Sequence, residues 1–591
     1  MRMTDDSGST FFVGREEFLT EIHELLQKKR QVVLSAPAGM GKTAIAAEYA
    51  RRFSHAYEWI FSMNMASSAS WLADCLELLE RLAIPIADNE RDLAGIKQIL
   101  QNWLAQHPDA LLIIDNIGSI ALPLMPEQIT GHMLCLTRHP VSDPSIAHLA
   151  LGALKAEEGA LLLLRQSGQF PANLPVEQID AEVQAAARNL AEELAGLPLA
   201  LHLAGANMLA SGRSVNEFLD LYHQYGERLV QLKVSKGPIA DELAIMCSLP
   251  AIRLQRTHQP ASELLSFCTV LAPLAIPREL FLLGASELTP ALQEFAQNPI
   301  LLDEALARLS SLGLFLADEA RGTLSLQLTV QEILRQAQTQ EKRNNLITSA
   351  LRAFSHLPPA LEQAAPAVRV RIVAQILHLS NLSSDWIIPY EAVADAFGWS
   401  AMLLWEYGLI QDAETLLRKA LAIWERVLGT GHETVGLAMR NLGILSALLE
   451  NYAEAEAFLQ RAMLARSRVL GAAHPEVILC LLDLARVYAE QGKSLEARAC
   501  YEEALKIGEQ TPGQGHPLLL AAAHELASIC IEEGELAEAE QIYQRLCTFY
   551  ETSSDQAQAE ARPYLEHLAL IYLQQGKSVE AESILQRLSQ S

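Results

Sequence analysis

The sequence predicts an N-terminal α/β domain built on a parallel sheet, followed by a mostly helical chain that ends in a repeat array. Three observations predict this fold class: a strand–loop–helix pattern over residues 31–50, a buried strand that ends in Asp115, and a 42-residue period after about residue 400. The 591-residue chain is also too long for one hydrophobic core. We therefore expect several domains.

The strand–loop–helix pattern begins with the apolar run Val32-Val33-Leu34 and has the context that a phosphate-binding loop requires. Backbone N–H groups and a helix N-terminus supply positive potential, Lys42 can reach terminal phosphates, and Thr43 offers a hydroxyl to Mg²⁺. Ala36 replaces the motif's first glycine and fits only if its φ is negative. The alternative is a glycine-rich turn before an ordinary helix. We predict that a nucleoside triphosphate binds at Gly39, Met40, Gly41, Lys42, Thr43 and Ala44.

A second strand, residues 110–115, is a continuous apolar run that ends in Asp115. Parallel sheets bind ligands at the carboxyl ends of their strands, so we expect Asp115 to hold Mg²⁺ together with Thr43. The next residue is Asn116, whose amide cannot take a proton from an attacking water, and hydrolysis should be slow. A third strand, residues 133–136, leads to Arg138, which can sense a γ-phosphate. Taken alone, Arg138 also fits a surface arginine.

The chain resembles the NB-ARC NTPases of the STAND class, signal-transducing ATPases with numerous domains, in a bacterial form. Four motifs stand in the family's order: Val13-Gly14-Arg15, Asp115-Asn116, Thr137-Arg138 and Gly196-Leu197-Pro198. The resemblance implies ATP or ADP with Mg²⁺, Val13 and Arg15 near the base and sugar, and Pro198 closing over the nucleotide. Gly196 and Pro198 also fit a simple helix end, and the two interpretations are compatible.

Residues 264–335 resemble the winged-helix domain that follows in this family. There it covers ADP, commonly through a histidine whose place is taken here by Gln327, ahead of Val330-Gln331-Glu332. Residues 251–335 carry six basic and nine acidic side chains, so a DNA-reading helix is unfavourable. We expect Gln327 to weaken an ADP-bound closed state, because it cannot carry charge.

A strict period of 42 residues marks the C-terminal third and predicts a solenoid. An acid–alanine pair recurs at this step, and a glycine, or Glu450, stands four residues before each acid. Together with His432, His474 and His516 in the inter-repeat loops, this pattern resembles tetratricopeptide (TPR) repeats of the kinesin light chain type. Stacked repeats keep equivalent histidines about 10 Å apart, which favours a structural role over metal binding. The recurring acids are Asp412, Glu454, Glu496, Glu538 and Glu580.

These patterns divide the chain into five segments. We expect a P-loop domain over residues 1–152, a helical domain over 153–250, a winged helix over 251–340, a helical connector over 341–400, and about five TPR repeats over 401–591. The predicted fold class is thus an α/β P-loop NTPase domain followed by helical and winged-helix domains and an all-α TPR solenoid.

Composition narrows the partners and the compartment. A formal charge of −26 argues against nucleic acid or an anionic membrane as the main partner. Eight cysteines without CxxC spacing predict buried thiols in a reducing compartment. The N-terminus lacks an apolar targeting segment and no run of 18 apolar residues occurs, so we predict a cytoplasmic protein.

The leading hypothesis is a nucleotide-controlled switch that is at most a slow ATPase, with no predicted catalytic residue. A protein or peptide would bind the concave TPR face, and the ATP state would form a homo-oligomer. The second hypothesis is a TPR scaffold with a structural nucleotide domain, and the third is a metabolic kinase or motor. Family members commonly act in bacterial transcriptional signalling or defence. Only about a dozen residues precede Val13, so we expect the output to come from a separate effector protein or from the oligomer.

Overall fold

The computed structural model describes residues 2–3, 11–117, 130–139, 147–170, 178–231, 241–318, 322–383, 388–509, 517–551 and 562–590. The chain forms two compact units. The first comprises Met1–Ile388 and Asp395–Leu409, and the second comprises Pro389–Ala394 and Ile410–Ser591. Among the described residues, no helix combines the length and the apolar character needed to cross a membrane.

A six-stranded parallel sheet forms the centre of the N-terminal part of the first unit. Its order is β1-β3-β4-β5-β2-β6, and every neighbouring pair is parallel. The apolar run of β4 packs with almost no exposure, as expected for a strand covered on both faces. The strands are β1 (Arg2–Met3), β2 (Gln31–Ser35), β3 (Trp59–Asn64), β4 (Ala110–Ile117), β5 (His132–Thr137) and β6 (Ala147–Ala150).

In the part of the chain that the structure describes, seven α-helices accompany and follow this sheet. Their starts have local causes: the Ser67 side chain accepts from Ser70 N in a capping box, Asp92 Oδ1 accepts from Gly95 N at 2.8 Å, and Pro198 occupies a first turn where no N–H is needed. The helices are α1 (Glu16–Lys29), α2 (Lys42–Arg52), α3 (Ser68–Arg81), α4 (Leu93–Gln106), α5 (Ala156–Gln166), α6 (Ala181–Glu193) and α7 (Pro198–Ser211).

The rest of the first unit is helical apart from a small antiparallel sheet. Its strands β7 (Ile276–Pro277), β8 (Phe315–Asp318) and β9 (Thr323–Leu326) have the order β7-β9-β8. This sheet lies in the segment for which a winged helix is expected, and that assignment stays a prediction, as do the five domain boundaries. The helices are α8 (Val215–Gln231), α9 (Asp241–Thr257), α10 (Gln259–Cys268), α11 (Leu280–Leu283), α12 (Pro290–Gln297), α13 (Pro299–Ser311), α14 (Leu328–Gln336), α15 (Gln340–Ser355) and α16 (Pro366–Leu382).

Helix α17 (Glu391–Glu406) begins in the second unit and ends in the first. The second unit is otherwise a series of helices in which each packs against the next. They are α18 (Ile410–Val427), α19 (Glu433–Leu448), α20 (Tyr452–Leu470), α21 (Pro475–Glu490), α22 (Ser494–Glu509), α23 (Pro517–Glu532), α24 (Leu536–Glu551), α25 (Arg562–Gln574) and α26 (Ser578–Gln590). The all-α repeat array predicted from the 42-residue period is confirmed.

The recurring residues occupy equivalent positions in this array. The alanines after the five acids, Ala413, Ala455, Ala497, Ala539 and Ala581, are all 0% exposed, which explains why a small side chain recurs where helices approach closely. The turn residues have left-handed φ values of 61° at Glu450, 71° at Gly492, 81° at Gly534 and 77° at Gly576. Glycine recurs because it adopts this conformation at little cost.

The loop histidines have the structural role that was predicted. The Nδ1 atom of His432 accepts a hydrogen bond from Thr434 N at 3.3 Å, and Nδ1 of His474 accepts from Glu476 N at 3.2 Å. Each ring caps the first turn of the helix that follows. His516 lies outside the described residues. All eight cysteines are free thiols, and seven of them are buried, as predicted.

Candidate nucleotide-binding site

The predicted phosphate-binding loop connects β2 to α2 at the carboxyl edge of the sheet. Gly39 and Gly41 both have φ of +81°, which explains glycine at these two positions, and α2 begins at Lys42 directly after Gly41. Ala36 is outside the left-handed region, so alanine fits there as the sequence analysis required. The loop therefore has the backbone shape that lets successive N–H groups and a helix N-terminus face one anion.

Lys42 lies over its own loop. Its Nζ donates hydrogen bonds to the carbonyl oxygens of Ala36 at 2.7 Å and Pro37 at 3.0 Å. Burial lowers the pKa of Lys42, the negative charge of Asp115 opposes that effect, and the guanidinium of Arg138 adds to it. A phosphate bound at this loop would offer the ammonium a charged acceptor in place of neutral carbonyl groups.

The structure brings together the two residues predicted to hold Mg²⁺. Thr43 Oγ1 donates a hydrogen bond to Asp115 Oδ2 at 2.6 Å. Burial raises the pKa of Asp115, and the bonds from Thr43 and the Asn116 N–H, with the charges of Lys42 and Arg138, oppose that rise. A hydroxyl and a partly buried carboxylate are oxygen ligands of the kind that Mg²⁺ takes in phosphate sites, so the donor set fits the ion. When bound there, Mg²⁺ would neutralise phosphate charge.

Asn116 is fixed beside this pair by a residue that sequence reasoning missed. Asn116 has φ of +59°, which asparagine tolerates better than most residues, and its Nδ2 donates to Asn64 Oδ1 at 3.2 Å. Asn64 is the last residue of β3 and pairs in register with Asp115. Its backbone N donates to Asp74 Oδ2 on α3 at 2.7 Å. The sequence could have indicated Asn64, because a polar residue at the end of a strand next to β4 lies at the same edge of the sheet as Asp115.

Arg138 directly follows β5, and its guanidinium reaches α14. Its Nη1 lies 3.3 Å from Glu332 Oε1, an ion pair between residues 194 positions apart. Arg138 also lowers the pKa of Lys42 and of Asp115, so its charge acts on the phosphate-binding loop as well. Glu332 belongs to the Val330-Gln331-Glu332 segment, but no local pattern in the sequence predicts its contact with Arg138.

Arg15, from the segment before α1, donates hydrogen bonds to the phosphate-binding loop and to Gly152. Its Nη1 donates to Met40 O at 3.0 Å and its Nη2 to Gly152 O at 2.8 Å. Burial lowers the pKa of Arg15, and the negative charge of Glu158 opposes this. The structure thus places Arg15 against the phosphate-binding loop, and contact with a base or sugar stays a prediction.

Glu158 lies next to the glycine that precedes Arg15. Gly14 has φ of +70°, a conformation that favours glycine, and a Cβ there would lie 2.3 Å from Glu158 Oε1, so the Glu158 side chain would have to move. The same oxygen accepts a hydrogen bond from Arg15 N at 3.4 Å. A cavity of about 260 Å³ lies beside buried Val13 and Gly14, and its other walls come from α5 and α6, including Glu158 and Arg188. Sequence reasoning did not find Glu158, which is 143 residues from Arg15.

The N-terminus of α7 covers the loop from a third direction. Leu199 N donates to Gly39 O at 3.1 Å, and a Cβ at Gly41 would lie 3.6 Å from Pro198 Cβ. Pro198 therefore lies against the loop at Gly41, and its closing over a nucleotide stays a prediction. Ala44 lies exposed in the first turn of α2. Arg15, Asp115 and Pro198 thus lie against residues 39–43, whereas Arg138 stands one residue beyond the Thr137–Ser35 pair, and its guanidinium contacts Glu332.

Two family models match this chain. Residues 24–133 match the AAA domain, and residues 393–463, 437–510 and 480–552 match the tetratricopeptide repeat. The curated proteins include no match.

Several solved structures are similar to this chain. One is a STAND protein with a tetratricopeptide repeat sensor from Pyrococcus horikoshii, 14% identical, with 98% of this chain and 95% of that chain covered and a TM-score of 0.36. Another contains the TPR-like repeats of a putative kinesin light chain from Podosopora anserina, 22% identical over 34% of this chain and 96% of that chain, with a TM-score of 0.31. A Walker-type ATPase from Pyrococcus abyssi is 11% identical over 56% and 99%, with a TM-score of 0.29.

The P-loop domain and the repeat array predicted from sequence are therefore both matched. An AAA domain implies nucleotide binding, and TPR repeats are protein-interaction modules. The chain therefore joins an AAA domain to an array of tetratricopeptide repeats.

Proposed function

We propose that this protein is a switch controlled by ATP and ADP, with a protein or peptide ligand on its repeat array. The triphosphate binds at residues 39–44, and Mg²⁺ binds at Thr43 and Asp115. Ligand binding to the repeats favours the ATP state, and the ATP state assembles into a homo-oligomer. The output passes to a separate effector protein or comes from the oligomer, in a cytoplasmic signalling or defence role.

One observation carries the proposal: two segments distant in sequence contact the phosphate-binding loop, and Arg138 at the end of the neighbouring strand β5 links this edge of the sheet to a third segment. Arg15 donates to Met40 O, the first turn of α7 donates to Gly39 O, and Arg138 links the sheet edge to α14. A bound phosphate changes the local charge, and each of these contacts can respond to it. A loop that served only to position a helix would not need contacts from segments so far apart in sequence.

The chemistry beside Asp115 suits a switch better than a rapid enzyme. Asn116 occupies the position next to the Mg²⁺ carboxylate, and its amide is bonded to Asn64. An amide cannot remove a proton from water, so the ATP state persists long enough to signal. A ligand changes the balance of states only by the difference of its affinities for them, and about 5.5 kcal/mol would move it from 1:99 to 99:1.

The test begins with the full chain as purified. The first measurement identifies the nucleotide that accompanies the purified chain. Calorimetry then measures ADP and ATP binding, and light scattering measures the mass with ADP and with a non-hydrolysable ATP analogue. We expect bound nucleotide and a larger mass with the analogue. Absence of binding of both nucleotides would reject the switch.

A single substitution separates the switch from the scaffold alternative. Lys42→Ala removes the ammonium that serves the phosphates, whereas Lys28→Ala removes a 72% exposed lysine of α1 and is the matched control. A switch loses analogue-dependent assembly only with Lys42→Ala. A scaffold keeps its mass and its partner in both variants, an outcome that Asn116 and Gln327 favour.

A further inference from the structure

Arg138 forms an ion pair with Glu332, and a terminal phosphate would be a second anion for the same guanidinium. Arg138 Nη1 lies 3.3 Å from Glu332 Oε1, and the side chains are 35% and 25% exposed. The pair joins the carboxyl edge of the sheet to α14. Because the contact is partly exposed, it can break without leaving a charge buried in an apolar interior.

Arg138 stands beside the start of the phosphate-binding loop, because Ala36 N of the loop donates to Thr137 O at 3.2 Å, and its charge acts on the loop. It lowers the pKa of both Lys42 and Asp115, which belong to the loop and to the Mg²⁺ pair. A guanidinium is a planar fork that takes a carboxylate or a phosphate through the same N–H groups. A terminal phosphate bound at the loop would therefore compete with Glu332 for one cation.

Glu332 has a second cation on its own helix. Burial lowers the pKa of Arg335, and the negative charge of Glu332 opposes that effect, whereas Arg343 adds to it. When Arg138 turns towards a phosphate, Glu332 keeps the favourable charge of Arg335. The exchange of partners then costs about as much as a partly exposed ion pair, and not as much as a buried one.

We propose that Glu332 determines the preference of the site between nucleoside triphosphate and nucleoside diphosphate. Its carboxylate occupies the Arg138 guanidinium, which a third phosphate must take over and a diphosphate does not need. The wild-type chain therefore discriminates against the triphosphate. This inference rests on the proposed function, because it requires that nucleotides bind at residues 39–44.

The experiment compares dissociation constants for ADP and a non-hydrolysable ATP analogue, both with Mg²⁺, by calorimetry on the full chain. Glu332→Gln keeps size and polarity but removes the charge. It should tighten analogue binding about two- to fivefold, the range of a partly exposed ion pair, and leave ADP binding unchanged. The matched control is Glu294→Gln, which removes an exposed carboxylate from α12 and should change neither constant.

A double-mutant cycle ties the effect to Arg138. In an Arg138→Gln background, Glu332→Gln should no longer tighten analogue binding, because there is no guanidinium to release. Should Glu332→Gln fail to fold, Glu332→Asp withdraws the carboxylate by one methylene and gives the same comparison.

The outcomes separate this inference from the proposed function. A wild-type chain that binds neither nucleotide removes the proposed function, and with it the premise here. A wild-type chain that binds both, with an unchanged ratio of the two constants in Glu332→Gln, overturns the role of Glu332 and leaves the switch standing.

Discussion

A buried ion-pair cluster where α16 packs on α3 gives the sharpest stability prediction. Arg371 of α16 places Nη2 3.5 Å from Asp74 Oδ1 and also contacts the Glu77 carboxylate. The Arg371, Asp74 and Glu77 side chains are 11%, 14% and 9% exposed. Charges so far from water are tolerated only when they are paired. Arg371 therefore compensates two carboxylates of α3 that would otherwise destabilise the fold.

The perturbation is Arg371→Met, which keeps an unbranched side chain and removes the charge. Breaking a buried pair by deleting one partner costs about 3–5 kcal/mol, because the other charge stays buried. Glu77 also bonds to Arg81 of its own helix, at 2.5 Å. Because Arg81 still neutralises part of the Glu77 charge in this variant, we expect the free energy of unfolding to fall by about 3 kcal/mol, the lower end of that range.

Hydrogen exchange of the α3 and α16 amides measures this loss locally. A loss of about 3 kcal/mol makes their exchange roughly a hundredfold faster, since each 1.4 kcal/mol is about tenfold. The helices of the repeat array serve as an internal reference, because they belong to the second compact unit. Their exchange should not change.

The matched control is Arg81→Met, which removes a second cation that pairs with Glu77. That arginine is 34% exposed and pairs within one helix, so its loss should cost about 0.3–0.5 kcal/mol. Equal effects of the two substitutions, both below about 1 kcal/mol, would contradict the claim that Arg371 compensates buried charge.

Three further predictions concern other parts of the chain. Glu450→Gly should stabilise the α19–α20 turn by about 0.5–1 kcal/mol, because glycine adopts a left-handed φ at lower cost than glutamate. For the same reason, Gly492→Ala should destabilise the α21–α22 turn by about 1–2 kcal/mol. Local hydrogen exchange measures both changes. Burial lowers the pKa of His378 to about 4, and the charge of Arg335 adds to this effect. Between pH 6.5 and 4 the unfolded chain therefore binds a proton that the folded chain does not, so the stability of the first unit falls as the pH falls. The loss should be about 2 kcal/mol at pH 5 and absent in His378→Gln, which denaturant unfolding of the first unit checks. Asn116→Asp supplies a carboxylate of the same shape and should raise ATP turnover by about a hundredfold, measured by phosphate release, whereas an unchanged rate would show that a missing base does not limit hydrolysis.

The local patterns in the sequence were sufficient for the main architecture. An apolar strand followed by Gly39, Gly41 and Lys42 defines the phosphate-binding loop, and parallel pairing brings the end of the Asp115 strand to the same edge. The Thr43–Asp115 bond was predictable for this reason. The 42-residue period likewise predicted the repeat array, because one helix pair repeated in sequence must stack on its neighbour to bury its apolar face.

The sequence by itself therefore determined the loop, the Thr43–Asp115 pair and the solenoid, because each follows from a local motif, from parallel pairing of neighbouring strands or from a regular spacing along the chain. Only the tertiary structure decided which distant side chains contact one another. Glu158 lies next to Gly14 and Asn64 accepts a hydrogen bond from Asn116, whereas Glu332 pairs with Arg138 and Glu77 with Arg371. The last two pairs are 194 and 294 residues apart, and no periodicity links their members. Such contacts depend on how whole helices pack against the sheet and against one another, which is a property of the folded chain and not of any segment.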